Sequence, residues 1–163
     1  MKLLSVVCGC YNEEENVDEL YSRLAAIFAG LPDYRFEIIF IDNASTDGTV
    51  AILRRLAEED PRVKVILNAR NFGHIRSGYH AFLQASGDAA VVMASDLQDP
   101  PDLIPKFIAK WEEGFKAVVG VKGESEESRI FFFIRRTYYR LIHRLAEFPI
   151  LQNFTGFGLY DRA

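Results

Sequence analysis

Ala89-Ala90-Val91-Val92-Met93-Ala94-Ser95-Asp96-Leu97-Gln98-Asp99-Pro100-Pro101 is the stretch that decides the fold. It opens as a short continuous apolar run, the pattern of a strand buried on both faces. It then switches to Asp, Gln and Asp and stops at two prolines. Pro101 cannot continue a strand but suits the first turn of a helix. Groups able to bind a cation therefore stand where a buried strand surfaces. In open α/β sheets, ligands bind there, beyond the carboxyl ends of the strands. Asp and Pro are also ordinary turn residues. A capped strand-to-helix turn with solvated carboxylates is thus an equally open reading.

The same pattern recurs on both sides of this stretch. Leu3 to Cys8 reads as a first buried strand, followed by the loop Gly9 to Glu15. Val17, Leu20, Leu24, Ile27, Phe28 and Leu31 then recur at helical spacing. Glu13 to Glu15 and Asp18 are expected at that helix's start, where its dipole favours acids, and Gly30 and Pro32 end it. Phe36 to Ile41 reads as a second strand, leaving into Asp42-Asn43-Ala44-Ser45-Thr46-Asp47-Gly48-Thr49. A second helix carries Val50, Ile52, Leu53 and Leu56 and stops before Asp60-Pro61. Val63 to Leu67 is a third strand, Asn68 to Gly73 a loop, and Ile75 to Ala85 a helix. After the central strand come a helix from about Asp102 to Glu113 and a fifth strand at Ala117 to Val121. Alternation of this kind predicts an α/β protein: a mostly parallel central sheet with helices on both faces, in three layers. Right-handed winding brings the polar exits after Cys8, Ile41 and Ala94 to one edge, forming a single crevice.

With 163 residues, about half of them hydrophobic, the chain suits one domain with a real core. Its formal charge of −4 gives no electrostatic case for binding nucleic acid. Cys8 and Cys10 lie two apart on a strand, neither a CxxC pair nor a metal quartet, and read as buried, reduced thiols in a cytoplasmic chain. The amino terminus enters a polar Tyr-Asn-Glu segment too early for a signal peptide. No run is long enough and free enough of charge to span a bilayer.

The crevice residues have definite chemistry. Asp42, at a strand end, can accept a hydrogen bond from a ribose hydroxyl or a base N–H. For Asp47, capping of the following helix is the favoured reading. Tyr11 either stacks on a base or packs at the loop edge. Asp96 and Gln98 offer the hard oxygen atoms that Mg²⁺ and Mn²⁺ prefer, the ions completing their shells with phosphate oxygens and water. Arg70, His74 and Arg76 either add positive charge near phosphates or are solvated, with solvation favoured for His74. No Gly-x-Gly-x-x-Gly, Gly-Lys-Ser/Thr or Gly-x-Ser-x-Gly motif is present, which disfavours dinucleotide, P-loop and hydrolase chemistry.

Gly-Cys-Tyr-Asn-Glu-Glu-Glu, Ile-Asp-Asn-Ala-Ser-Thr-Asp-Gly-Thr, Arg-Asn-Phe-Gly-His and Ser-Asp-Leu-Gln-Asp-Pro-Pro follow one another in that order. Over nearly its whole length the chain resembles glycosyltransferase family 2, and within it the dolichyl- and undecaprenyl-phosphate sugar transferases. The resemblance implies a GT-A (Rossmann-like) fold, a nucleotide-diphosphate sugar donor with UDP favoured over GDP, Mg²⁺ or Mn²⁺, and inversion at the anomeric carbon. It implies a nucleotide-sugar set of Gly9, Tyr11, Glu13, Asp42, Asn71 and Asp96, and metal or diphosphate ligation by Asp96 and Gln98. The implied acceptor is a polyprenyl phosphate or a glycan of the cell envelope. Four departures stand out. Gly9 replaces a common Pro, and Asn43-Ala44 replaces Asp-Gly. Ala94 replaces the first Asp of the usual Asp-x-Asp. Phe157-Gly158-Leu159 replaces Phe-Arg-Leu. With Ala94 the metal is expected to bind weakly, and together with the donor diphosphate. No catalytic base is assigned; an ionised lipid phosphate needs little deprotonation.

Arg129, Arg136, Arg140 and Arg144 fall within an arc of roughly 80° on a helix over about 129–145. Ile130, Ile134, Tyr138, Leu141 and Leu145 lie opposite. Such a helix either packs on the sheet or rests in a membrane interface with its arginines on anionic lipid. The resemblance moves the expectation to peripheral contact with the inner face of the cell membrane, on the acceptor side. The expected organisation is one catalytic domain over 1–163, either a natural short form or a piece of a longer chain. Two alternatives stay open: a non-catalytic nucleotide-sugar-binding subunit, and a transferase acting on polysaccharide or O-antigen away from the membrane.

Overall fold

The computed structural model describes residues 1–121 and 154–162. Six strands form one sheet: β1 (Lys2–Cys10), β2 (Tyr34–Asp42), β3 (Val63–Leu67), β4 (Ala89–Ala94), β5 (Ala117–Val121) and β6 (Phe154–Asp161), in the order β3-β2-β1-β4-β6-β5. β1 pairs in parallel with β2 and β4, and β2 with β3. β6 runs antiparallel to β4. The helices are α1 (Val17–Ala29), α2 (Thr49–Glu59), α3 (His74–Leu83) and α4 (Ile104–Glu112). The expected sheet and its layering are therefore present. By compactness the chain divides into residues 1–119 with 156–163, and residues 120–155. Every site residue discussed below lies in the first unit.

Strand alternation sorts the core into two unequal halves. On one side Leu4, Val6 and Cys8 of β1, Phe36, Ile38 and Phe40 of β2, and Val91 and Met93 of β4 meet the apolar stripes of α1, α2 and α4. Leu20, Leu24, Leu53, Ile104 and Trp111 anchor those helices there. On the other side Val7, Ile39 and Ile41 meet Ala81 of α3. The central strands are thus apolar on both faces, as the unbroken runs of Val and Ile require.

Several element boundaries differ from expectation. α1 begins at Val17, so Glu13 to Glu15 precede it and only Asp18 and Glu19 occupy its first turn. The helix expected from Asp102 is a 3₁₀ turn, Pro101–Leu103, leading into α4. α3 starts one residue before Ile75 and ends at Leu83. β6 was not foreseen, because Gly156 and Gly158 interrupt its apolar alternation. Gly158 has a packing reason: a Cβ there would lie 2.9 Å from the Val118 carbonyl. Position 158, where the resemblance leads one to expect an arginine, pairs with Val92, two residues before the carboxyl end of β4. The helix expected over about 129–145, with Arg129, Arg136, Arg140 and Arg144, lies outside the described residues.

Candidate functional site

β2, β1 and β4 are neighbours in the sheet, and their carboxyl ends lie side by side. Gly9 pairs with Ile41 on one side and with Ala94 on the other, and Cys10 pairs with Asp42. Asp42 and the loop bearing Asp96 thus flank the exit of β1, two strand spacings or about 10 Å apart. The three exits expected to converge do converge.

The loop after β1 and the loop after β2 are stapled together. Asn12 N–H donates to Ser45 Oγ (2.9 Å), and Thr46 N–H donates back to Asn12 Oδ1 (2.8 Å). Glu13 N–H donates to Thr49 Oγ1 (2.8 Å), and Glu14 N–H to Asp47 Oδ2 (3.2 Å). The Glu14 carboxylate accepts from Gly48 N–H (2.5 Å), at the start of α2. Asp47 Oδ1 accepts from the Thr49 amide (3.0 Å), the helix-start role favoured for it. These bonds consume first-turn donors that α2 itself leaves unpaired. Glu13 accepts from Asn16 Nδ2 (2.7 Å).

A second network ties the loop after β3 to the exit of β2. The buried Asn43 donates to Asn71 Oδ1 (2.9 Å) and accepts from Phe72 N–H (2.9 Å) and Asn68 Nδ2 (3.2 Å). Asn68 Nδ2 also reaches Ser77 Oγ (2.7 Å). Asn71 Oδ1 accepts from Gly73 N–H as well (2.8 Å). Asn71, expected to bind the nucleotide, has its side-chain oxygen committed to holding this loop. Asn43 and Glu14 are hubs that the sequence reading passed over. The recurrence of Asn at strand exits was the available signal, since Asn bonds its own turns and tolerates left-handed backbone.

Asp42 is buried, 1% exposed. Its Oδ2 accepts from Ser45 N–H at 3.0 Å. Its Oδ1 has no hydrogen-bond partner among the described residues. A buried carboxylate oxygen left this way costs about 1–3 kcal/mol, so the site favours an incoming donor. Beside it, Cys10 Sγ and Ser95 Oγ lie 3.0 Å apart, and Ser95 N–H donates to the Gly9 carbonyl (3.2 Å). Burial, reinforced by the nearby Asp42 and Glu13 charges, pushes the Cys10 thiol up to about 12, although Ser95 opposes this. Burial raises Cys8 too. Both thiols are free and buried, and burial disfavours the thiolate that a nucleophile needs.

Across β1, Asp96 is half-buried and its Oδ1 accepts from the Gln98 amide (3.1 Å). Gln98 is exposed, as are Gly9, Ala94 and Tyr11. A Cβ on Gly9 would meet nothing within 4 Å. No three His, Cys, Asp or Glu side chains cluster as a metal cage among the described residues. Asp96 is one carboxylate, with Ala94 where a second was expected. One carboxylate fits Mg²⁺ or Mn²⁺ only when phosphate oxygens supply other ligands. Arg70 rests over the Phe72 ring at 4.7 Å, and His74 and Arg76 are exposed. A separate cavity of about 430 Å³, lined by Phe28, Leu31, Tyr34 and Phe36, lies at the amino edge of β1 and β2, away from these carboxylates.

A mostly parallel sheet ordered 3-2-1-4-6-5, with carboxylates at the exits of β2 and β4, has the GT-A fold of nucleotide-sugar transferases. The chain belongs to glycosyltransferase family 2, whose model matches residues 5–162. Among curated relatives it is 37% identical to the uncharacterized glycosyltransferase YkcC of Bacillus subtilis, over 97% of this chain and 49% of that protein. It is 33% identical to the bactoprenol glucosyl transferase of Shigella phage SfV, over 98% of this chain and 52% of that one. The chain thus spans about half the length of the curated relatives it matches. Among solved structures, the mannosyltransferase PcManGT of Pyrobaculum calidifontis, in complex with GDP-Man and Mn²⁺, shares the fold with a TM-score of 0.63. That likeness is at 23% identity and covers 98% of this chain and 44% of the other.

Proposed function

We propose that the chain, as one catalytic domain, moves a sugar from a nucleotide-diphosphate donor, UDP-linked by preference, to a polyprenyl phosphate, with inversion at the anomeric carbon. The observation that carries this reading is the orphaned Oδ1 of Asp42. A base N–H or ribose hydroxyl brought to it supplies the missing donor. Tyr11, exposed at the mouth of the adjacent loop, offers a ring for stacking. Gly9 and Ala94 leave a ledge with no side chain larger than a methyl between the Asp42 and Asp96 exits, along which the diphosphate extends.

Asp96, with help from Gln98, is the residue that would hold Mg²⁺ or Mn²⁺. A bound ion would offset charge on the leaving diphosphate as a Lewis acid. With Ala94 in place of a second carboxylate, Asp96 would hold the ion together with phosphate oxygens of the donor. In the transfer, an acceptor phosphate oxygen bonds to the anomeric carbon as the bond from that carbon to the diphosphate oxygen breaks. The nucleoside diphosphate leaves with the electron pair. The acceptor is already an anion, so no protein base has to remove a proton. The bactoprenol named for the phage relative supports a lipid-phosphate acceptor and a place of work at the inner face of the cell membrane. Among the described residues no helix is long and apolar enough to cross a membrane; the contact proposed for this domain is a peripheral one.

The test is sugar transfer from a panel of UDP- and GDP-sugars to short-chain polyprenyl phosphate, with Mn²⁺, Mg²⁺ or chelator. Metal-dependent product from wild type, reduced at least about tenfold in Asp96→Ala, is expected. Transfer unchanged in that variant would sink the metal assignment. Ala94 favours a second reading, a donor-binding subunit without catalysis; donor binding with neither transfer nor hydrolysis would establish it.

A further inference from the structure

α3 is built inside out. Its buried positions are small, Ser77 and Ala81. On a helix of 3.6 residues per turn, the direction opposite those two is occupied by Ile75, Tyr79 and Leu83. These three are 73%, 63% and 60% exposed. Spaced i, i+4 and i+8, they form one continuous apolar stripe pointing away from the sheet. Phe72, 39% exposed, precedes the helix. A helix face that carries its largest apolar side chains outward marks a contact surface.

The charges around the stripe are of one sign. From Pro61 to Gly87 the sequence holds no Asp or Glu, although the whole chain has a formal charge of −4. Arg76 and His80 border one side of the stripe on the helix, and Arg70 and His74 stand exposed at its amino end. Arg23, Arg55 and Arg62 are each ion-paired with a carboxylate, whereas Arg35 and Arg54 are not among the described residues. Arg70 and Arg76 have no carboxylate partner among the described residues. An apolar stripe of Ile, Tyr and Leu edged by unpaired cations matches an anionic bilayer surface. The apolar side chains enter the headgroup boundary while the arginines meet lipid phosphates. A second copy of the same face fits less well, because two basic rims would be brought together.

We propose that the outward face of α3 is a docking surface for an anionic lipid bilayer. Naming a membrane as the occupant rests on the lipid-acceptor reading above. α3 follows directly from the loop that Asn43 and Asn71 hold against the exit of β2, so docking here places the crevice mouth near the lipid surface.

The test is co-sedimentation of the full chain with vesicles of phosphatidylglycerol and phosphatidylcholine, against phosphatidylcholine alone. Wild type, Ile75→Ser/Leu83→Ser and Arg76→Glu are compared, with UDP titration and thermal melting of each as controls. Expected are salt-sensitive binding to the anionic vesicles by wild type and binding at least about tenfold weaker in both variants. UDP affinity and melting temperature should be unchanged. Anionic-vesicle binding equal in all three proteins overturns the α3 assignment and leaves the lipid-acceptor reading intact. Absence of wild-type vesicle binding overturns it too. In that case, self-association of wild type that is lost in the variants assigns the stripe to a second copy. Loss of UDP binding in wild type would instead strike the donor reading, independently of α3.

Discussion

Ala44 holds a φ of 63° in the loop after β2, and Asn12 (57°) and Leu97 (59°) do the same in the loops after β1 and β4. All three exits that form the crevice therefore contain one non-glycine residue in left-handed backbone, a conformation that costs about 1–2 kcal/mol. Asn12 offsets it through the Thr46 bond, and Leu97 packs against the main core. Ala44 has only a methyl group and no such compensation. Ala44→Gly is expected to raise stability by about 0.5–1 kcal/mol, read as a melting temperature about 1–4 °C higher. A lower melting temperature would contradict the strain. Gly87 is the opposite case: a Cβ there would lie 2.7 Å from both Ser5 N and the Ala89 carbonyl. Both are strand backbone that cannot yield, so Gly87→Ala should cost about 3 kcal/mol in a denaturant titration.

At the scale of elements, the end of β4 invites the most informative gain of function. Ala94 is exposed and its register neighbour Gly9 leaves open space. Ala94→Asp should fold normally and tighten Mn²⁺ binding in the presence of UDP by at least about tenfold, measured by titration of the ion. Unchanged affinity would mean the ion is not held at this exit. The turn between α2 and β3 sets the acid limit of the fold. Hydrogen bonds from Arg62 first, with help from Tyr21, hold the Asp60 carboxyl down at about 2 against its burial. Burial pushes Glu37 up, yet Lys64, Ser5 and Ser86 outweigh it and leave that carboxyl lowered as well. Both groups are depressed by folding. Their contribution is full above the unfolded carboxylate range of about 4 and is lost as the pH falls towards 2. The melting temperature should be flat above about pH 5 and decline below pH 4. Arg62→Ala should flatten that decline; an unaltered profile would remove Asp60 as its source.

Across the whole molecule, what sequence made legible follows the physics of burial. Strands buried on both faces read as unbroken apolar runs, and β1, β2 and β4 were visible for that reason, whereas β3 and β5 are less buried and were legible from their Val and Ile content. β6 was hidden because Gly158, closely packed on Val118, and Gly156, at a φ of 92°, interrupt its alternation. The crevice residues Asp42 and Asp96 were legible because each interrupts an apolar run. Asn43, Asn71 and Glu14 were not legible in their actual roles, since loop-to-loop hydrogen bonds have no periodicity to betray them. The outward stripe of α3 was equally hidden: its spacing is that of any amphipathic helix, and only packing reveals which side faces out. The most direct measurement is calorimetric titration of UDP into wild type, Asp42→Asn and Asp96→Ala, each with and without Mn²⁺. A single donor crevice predicts Mn²⁺-dependent binding by wild type. It predicts at least about tenfold loss in Asp42→Asn, where an amide donor faces the incoming donor, and loss of the Mn²⁺ dependence in Asp96→Ala. Wild-type affinity in Asp42→Asn, or no binding of UDP or GDP by wild type, would contradict it.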